Sequence, residues 1–315
     1  MAGRCPRSER RVKEKLELVE VSPRDGLQNE PDIVSTENKL ALIDRIVAAG
    51  FTRLEAASFV NPKKVPQMAD GDAVFEGVRA RDDYKDGGVI FIALALNLRG
   101  VERALAAGAK EINYVFCASD GFSIRNNGGT VEETFRVWPE VAETAKRGGA
   151  RLSATISTAF GCPFDGEVSI ERVVAVAEMC ANQDIFELAL ADTIGVASPK
   201  DVYERFRAIK DVTNGVQLRA HFHNTRNTAL ANAVAAVEEG VRVLDGSLGG
   251  IGGCPFAPGA AGNVPTEDLA YMFARMGFDT GVDLDKAVDA AKFIGGVLGR
   301  QTPGMVSRAP KWPSA

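Results

Sequence analysis

The chain has 315 residues, room for one large α/β barrel or two ordinary domains, and its 45% hydrophobic and 25% charged content is that of a soluble globular enzyme. The net charge of −5 comes without a basic stripe, which argues against nucleic acid as a partner. The longest unbroken apolar run, Val89 to Leu96, is far short of the ~20 residues that span a bilayer, so no membrane partner is expected.

The N-terminus mixes Arg4, Arg7, Arg10, Arg11, Lys13 and Lys15 with Glu9 and Glu14, and no apolar stretch of a secretory leader follows. Residues 1–15 read as a mobile, solvated tail, with a transit peptide the less favoured reading. The five cysteines (Cys5, Cys117, Cys162, Cys180, Cys254) are odd in number and scattered, with no CxxC pair. They point to a reducing compartment, the cytoplasm, rather than to a disulfide framework.

From there one pattern repeats: an apolar-periodic helix, a polar or glycine stop, then a short β-rich run. Leu16–Val21 reads as a strand. Helix Thr36–Ala49 stops at Gly50 and leads to strand Thr52–Ala57. Val89–Leu96 reads as a strand buried on both faces. Helix Arg99–Ala107, stopped by Gly108, precedes strand Glu111–Phe116. Val131–Arg147 reads as one helix ending at Gly148-Gly149, before strand Leu152–Thr158. Helix Ser169–Asn182 has Ser169 as N-cap and Glu171 in its first turn, and leads to strand Ile185–Ala191. Ser198 as N-cap and Pro199 at N1 open the next helix. Strand Val216–Phe222, helix Thr228–Glu239 and strand Val241–Ser247 follow. Thr266–Met276 and Leu284–Leu298 are terminal helices.

Eight strands alternating with helices over residues 16–300 predict a (β/α)8 TIM barrel, with the C-terminal helices packing beside its mouth and 301–315 as a tail. An open doubly wound sheet would need a glycine-rich dinucleotide loop after the first strand, and SPRDGLQNE is not one.

In such a barrel the active site lies at the C-terminal strand ends. Those ends carry Arg24 and Asp25, Glu55 and Ser58, Asn97, Thr158, Asp192 and Thr193, and His221 and His223. The chain's only two histidines stand at i and i+2 of one strand end, so both imidazoles project from one face. That spacing predicts a metal site. Asp25 supplies a hard oxygen ligand across the barrel, and the mixed N/O set suits Mg²⁺ or Mn²⁺, with zinc second. Arg24 offers a planar fork of donors for a carboxylate or a developing oxyanion. Glu55, Asp192 and Thr193 are placed to orient those groups, or else to cap strand ends. Gly249–Asn263 holds six glycines and two prolines in fifteen residues, which excludes regular structure. At a barrel mouth it reads as a binding loop or lid presenting Cys254 and Asn263.

SPRDGLQNE resembles the RDG-x-Q signature of the DRE-TIM metallolyase superfamily of lyases, aldolases and condensing synthases. GGIGGCPFAPGAAGN is similar to the cysteine loop of its 3-hydroxy-3-methylglutaryl-CoA lyase branch, as are LEAASFVNPKKVPQM, FGCPFDGEVS, LADTIGV and NVPTEDLAYM. The resemblance runs from about Leu16 to about Val297. It implies cleavage of a 3-hydroxy-3-methylglutaryl thioester into acetyl-CoA and acetoacetate, with an aldolase or condensing synthase as the alternative. It implies Asp25, His221, His223 and Asn263 as metal ligands, Arg24 stabilising an enolate, Cys254 moving a proton and Glu55 supporting Arg24. His221 and Asp25 also count among the catalytic candidates. Gln28, Ser58, Asn97 and Thr193 are substrate-binding candidates beside Arg24, and Asn97, Arg99 and Lys63 are candidates for the CoA. An acyl-CoA substrate and a homo-oligomer, a dimer, are expected. One stretch departs from the branch: HNTRNTALAN stands where an HDTYGQALAN-like run is expected. Asn224 replaces an acid and Arg226-Asn227 replace Tyr-Gly, beside the site, which bears on substrate choice.

Overall fold

The computed structural model describes residues 13–253 and 262–312. Its strands close into an eight-stranded parallel barrel in chain order. They are β1 (Glu17–Glu20), β2 (Arg53–Ser58), β3 (Ile90–Ala95), β4 (Glu111–Cys117), β5 (Arg151–Ser157), β6 (Glu187–Asp192), β7 (Gln217–Phe222) and β8 (Val243–Gly246). β8 returns to β1 with Leu244 beside Leu18, which closes the ring. All eight expected strands are present, their ends displaced by no more than a residue or two.

The helices are α1 (Thr36–Ala48), α2 (Gly71–Ala80), α3 (Asp82–Lys85), α4 (Leu98–Ala106), α5 (Asp120–Asn126), α6 (Val131–Phe135), α7 (Trp138–Arg147), α8 (Ile170–Ala181), α9 (Pro199–Lys210), α10 (Ala229–Glu238), α11 (Thr266–Met276) and α12 (Leu284–Val297). The expected caps form. Ser169 Oγ accepts from the Arg172 amide at 3.2 Å, and Ser198 closes a capping box with Asp201. α11 packs on β8 and β1, and α12 packs on α1, on α11 and on the turn Leu248–Gly250 that follows β8. Among the described residues no helix is long and apolar enough to cross a membrane.

The helices differ from expectation in four places. Val131–Arg147 is two helices, because Pro139 lies in the first turn of α7 and has no N–H to continue the turn before it. α2 and the short α3 and α5 have no counterpart in the sequence reading. In α2, Gly71 and Gly77 dilute the pattern, although Val74, Phe75 and Val78 form a buried face. Residues 1–12 of the expected tail lie outside the described residues. Glu14 is anchored: its carbonyl accepts from the Asp279 amide at 2.8 Å and its carboxylate from Arg242 at 2.7 Å. The C-terminal stretch is docked, with the Gly304 amide 2.8 Å from the Gly249 carbonyl.

The barrel lumen is charged. Arg53 on β2 bonds Glu111 on β4 at 3.1 Å and Glu187 on β6 at 2.8 Å, contacts between non-adjacent strands that only the lumen allows. Arg219 on β7 bonds Asp245 on β8 at 2.6 Å and Glu187 at 3.2 Å, and lies 3.6 Å from Glu55 on β2. Removing one member of such a buried set strands its partner and costs roughly 3–5 kcal/mol.

Outside the lumen, Glu20 and Glu267 hold the start of the glycine-rich loop. Glu20 accepts from the Leu248 amide at 3.0 Å and Glu267 from the Gly249 amide at 2.9 Å. Burial pushes Glu20 up to about 7. Burial, with the charges of Asp268 and Glu20 nearby, pushes Glu267 up to about 8. Between the ordinary carboxyl range and those values the folded chain keeps protons that the unfolded chain has lost. Stability therefore falls as pH rises through that window. Wild-type Tm is expected to drop between pH 5 and pH 9, and Glu267→Gln, which stands in for the protonated acid, is expected to drop less. Parallel curves in a melting series across that range would remove Glu267 from this role.

Candidate active site

The sequence SPRDG after β1 forms a five-residue π-helical turn, Ser22–Gly26, with Pro23 at its start. The wide turn sets Arg24 and Asp25 side by side over the lumen. Gly26 is required there: a Cβ would lie 2.6 Å from Ser247 Oγ and 2.8 Å from Ile251 Cγ1. The chain after β8 thus seats directly on this turn.

Asp25, His221 and His223 each offer a ligand atom, and these atoms lie within 4.8 Å of one another. The Nε2 atoms of His221 and His223 stand 3.9 and 3.7 Å from Asp25 Oδ2. Asn263 joins them from the far end of the glycine-rich loop. Its backbone bridges to His223, and its Nδ2 donates to Asp25 Oδ2 at 2.7 Å. Asn263 Oδ1 and His223 Nδ1 are buried without a hydrogen-bond partner. Two imidazoles, one carboxylate and an orphaned amide oxygen fit a divalent cation of the oxygen- and nitrogen-preferring kind. Gly252, at φ 105°, has Asn263 Nδ2 and Asp25 O within 3.0 Å of where a Cβ would be, so a side chain there would push Asn263 away.

The electrostatics keep Asp25 ionised and fix the ring orientation of His221. Burial alone would raise Asp25, but the Arg24 guanidinium and the two histidines hold its carboxyl well below the usual carboxylate range. Asp245 accepts from His221 Nδ1 at 3.0 Å and is itself gripped by Arg219, which leaves His221 Nε2 facing Asp25. Burial disfavours the His221 cation, and the Asp245 carboxylate more than compensates, raising its pKa. Arg24 Nε donates to Glu55 Oε2 at 2.6 Å, and its other nitrogens reach Glu55 and Asp25.

The HMGL-like family model matches residues 15–294. The chain is 43% identical over 306 residues to the (R)-citramalyl-CoA lyase of Chloroflexus aurantiacus, covering 95% of this chain and 96% of that one. It is 41% identical to the mitochondrial hydroxymethylglutaryl-CoA lyase of Rattus norvegicus, covering 94% and 89%. Among solved structures, an HMG-CoA lyase from Acinetobacter baumannii in complex with coenzyme A and 3-methylmalate superposes with a TM-score of 0.89 at 40% identity, covering 96% and 97%. The chain belongs to the HMGL-like family. It is an enzyme, a carbon–carbon lyase.

Around this HMGL-like centre opens a cavity of about 430 Å³ lined by Arg24, Asp25, His221, His223 and Asp245. Gln28, Asn97 and Thr193 also line it. Asn97 additionally caps α4, accepting from the Gly100 amide at 2.9 Å, and Thr193 accepts from the Thr158 amide at 2.8 Å. Ser58 is not brought to the site. It is buried at the end of β2, off the cavity wall, with its hydroxyl unpartnered. Glu55 lies beneath the wall, behind Arg24. Asp192 serves the β6–α9 loop, accepting from the Val196 and Ala197 amides. Cys254 lies outside the described residues.

The departing stretch is explained by turn chemistry. Asn227 sits at φ 58°, a left-handed position where Asn can stand for Gly. Asn224 Oδ1 accepts from the Ala229 amide at the start of α10, and Arg226 donates to the Ile194 and Gly195 carbonyls. None of the three lines the cavity. The wall instead includes Asn113, Thr155, Leu94, Val115 and Phe122, none of which the sequence reading singled out. Asp245 was missed as well; its signal is a carboxylate inside the apolar strand VRVLDGS, which demands a buried partner.

Asp245→Asn is expected to weaken Mn²⁺ binding by about 10- to 100-fold, since it loosens the hold on His221. Titration of the purified chain followed by electron paramagnetic resonance reads this directly, and unchanged affinity would separate Asp245 from the metal site.

Proposed function

We propose that this chain is a divalent-metal-dependent acyl-CoA lyase that cleaves 3-hydroxy-3-methylglutaryl-CoA, or a close 3-hydroxyacyl-CoA analogue, into acetyl-CoA and an oxo acid. For the methylglutaryl compound that acid is acetoacetate. The reading rests chiefly on one observation: Asp25, His221, His223 and Asn263 converge at the mouth beside an arginine that is already ion-paired and aimed into the cavity.

The reaction breaks the bond between C2 and C3 of the acyl chain. The C3 hydroxyl loses its proton and becomes a carbonyl, while C2 leaves as an enolate that must be protonated. Asp25, His221, His223 and Asn263 would hold Mg²⁺ or Mn²⁺, which when bound would supply Lewis acidity to the substrate oxygens. His221, fixed through Nδ1 by Asp245, would present Nε2 to that ion and so hold it beside the C3 hydroxyl, whose proton leaves to water. Arg24, with its charge fixed between Asp25 and Glu55, lies where it can bind the thioester oxygen as it gains negative charge. Cys254 is proposed to return the proton to C2.

The CoA moiety has a place to go. A second cavity of about 600 Å³ adjoins the first, sharing Val60, Asn61 and Asn97 with it. It is lined by Lys63, by Arg99 at the N-terminus of α4 and by Arg103 in its last turn, a setting suited to phosphate groups.

The identity to the citramalyl-CoA lyase supports a second substrate, (R)-citramalyl-CoA, whose cleavage at the corresponding bond releases a 2-oxo acid. Incubating the purified enzyme and Mg²⁺ or Mn²⁺ with both thioesters, with product analysis, decides between them. Acetoacetate from the first is the expected result. A 2-oxo acid from the second alone would rename the substrate, and cleavage of neither would sink the lyase reading for acyl-CoA substrates of this kind.

A further inference from the structure

Arg24 is held by Glu55, and the way Glu55 is held has its own logic. Glu55 is 0% exposed, and its two oxygens face different donors. Oε2 takes the Arg24 guanidinium, and Oε1 takes the Asn113 side-chain amide nitrogen at 2.6 Å. Asn113 is on β4, 2% exposed, and forms part of the cavity wall. Its own carbonyl oxygen accepts from Thr155 Oγ1 on β5 at 2.9 Å.

A primary amide has a donor end and an acceptor end, and a flip exchanges them. The Glu55 carboxylate only accepts, so the donor end of Asn113 must face Glu55 and its acceptor end faces Thr155, whose hydroxyl donates to it. Without that hydroxyl the carbonyl oxygen of Asn113 loses its donor, and a flip to find another would set it against a buried carboxylate, a repulsive contact. The relay Thr155 to Asn113 to Glu55 to Arg24 thus runs from β5 through β4 and β2 to the turn after β1, with each donor direction set by its neighbour.

We propose that Asn113 is a positioning residue for Arg24, acting through Glu55, and that Thr155 holds Asn113 in place by satisfying its amide oxygen. The inference rests on the lyase reading, in which Arg24 meets the developing enolate oxygen. Arg24 can rotate toward Asp25, with which it is also paired, so the pull of Glu55 decides where the guanidinium points. A Glu55 carboxylate that has lost its Asn113 donor keeps only Arg219, at 3.6 Å, on that oxygen and shifts toward it, and the aim of Arg24 shifts with it.

Because Asn113 acts through Arg24, its effect must vanish once Arg24 no longer reads Glu55 with a planar fork. The test is a set of kinetic cycles with Asn113→Val, Thr155→Val, Thr155→Ser and Arg24→Lys, assayed with the thioester the wild-type enzyme cleaves. Asn113→Val and Thr155→Val are each expected to lower kcat about 10- to 100-fold, with KM changing far less. Thr155→Ser, which keeps the hydroxyl, is expected to restore kcat to near the wild-type value. In the Arg24→Lys background neither valine variant is expected to lower kcat further. A full multiplicative loss in that background, or a Thr155→Ser enzyme as slow as Thr155→Val, would overturn the proposal. If Asn113→Val fails to fold, the Thr155 pair carries the same comparison, since Thr155 does not touch Glu55. Wild-type enzyme inactive on every thioester would overturn the lyase reading itself, an outcome distinct from the pattern among variants.

Discussion

One buried guanidinium organises the interior of this barrel. Arg219 is 1% exposed and meets Asp245, Glu187 and Glu55, carboxylates from three other strands. A charge so far from water is tolerable only with partners of opposite sign at hydrogen-bond distance. The closed parallel register supplies those partners by pointing alternate residues of every strand inward. Two of them then serve the mouth. Asp245 turns from Arg219 to His221 and fixes which ring nitrogen faces Asp25, and Glu55 turns toward Arg24. The chemical groups at the surface of the cavity are thus the upper ends of ion pairs rooted in the lumen.

This arrangement explains why a site built largely at strand ends and turns is held in place. Arg24 and Asp25 lie on a turn, and His223 lies just past β7, between the Asp192 carbonyl and the backbone bridge to Asn263. What fixes them is the set of contacts beneath, together with the close approach of the chain after β8. Gly26 and Gly252 permit that approach, and Glu20 and Glu267 pin its first residues by their backbone amides. The loop that begins there is held at its root while its far end delivers Asn263 to Asp25.

Much of this was legible in the sequence, for physical reasons. Short β-rich runs between helical patterns, one of them the unbroken apolar run Val89–Leu96, named all eight strands. The histidine pair at i and i+2 identified a shared face, and the RD dipeptide at a strand end identified its counterpart. What escaped notice was of two kinds. Asp245, Arg219 and Asn113 lie within strands rather than at their ends, and the reading searched only the ends. Their legible trace is a polar residue recurring at alternate positions of strands too apolar to face water: Arg53 and Glu55, Glu111 and Asn113, Arg219 and His221. The substrate-facing wall was the other omission. Side chains such as Leu94, Val115 and Phe122 read as ordinary core, and only the closed barrel shows which of them border the cavity. Residues 224–227 erred in the opposite sense: adjacency in sequence to His223 suggested substrate contact, whereas they form a turn that faces away.

The dependence of the chemistry on a divalent ion at Asp25, His221, His223 and Asn263 is tested most directly by stripping and restoring it. Enzyme treated with a strong chelator and desalted is expected to lose thioester cleavage while keeping its circular dichroism spectrum, and about one equivalent of Mn²⁺ per chain is expected to restore turnover. Full activity in the stripped enzyme, verified metal-free by elemental analysis, would contradict it.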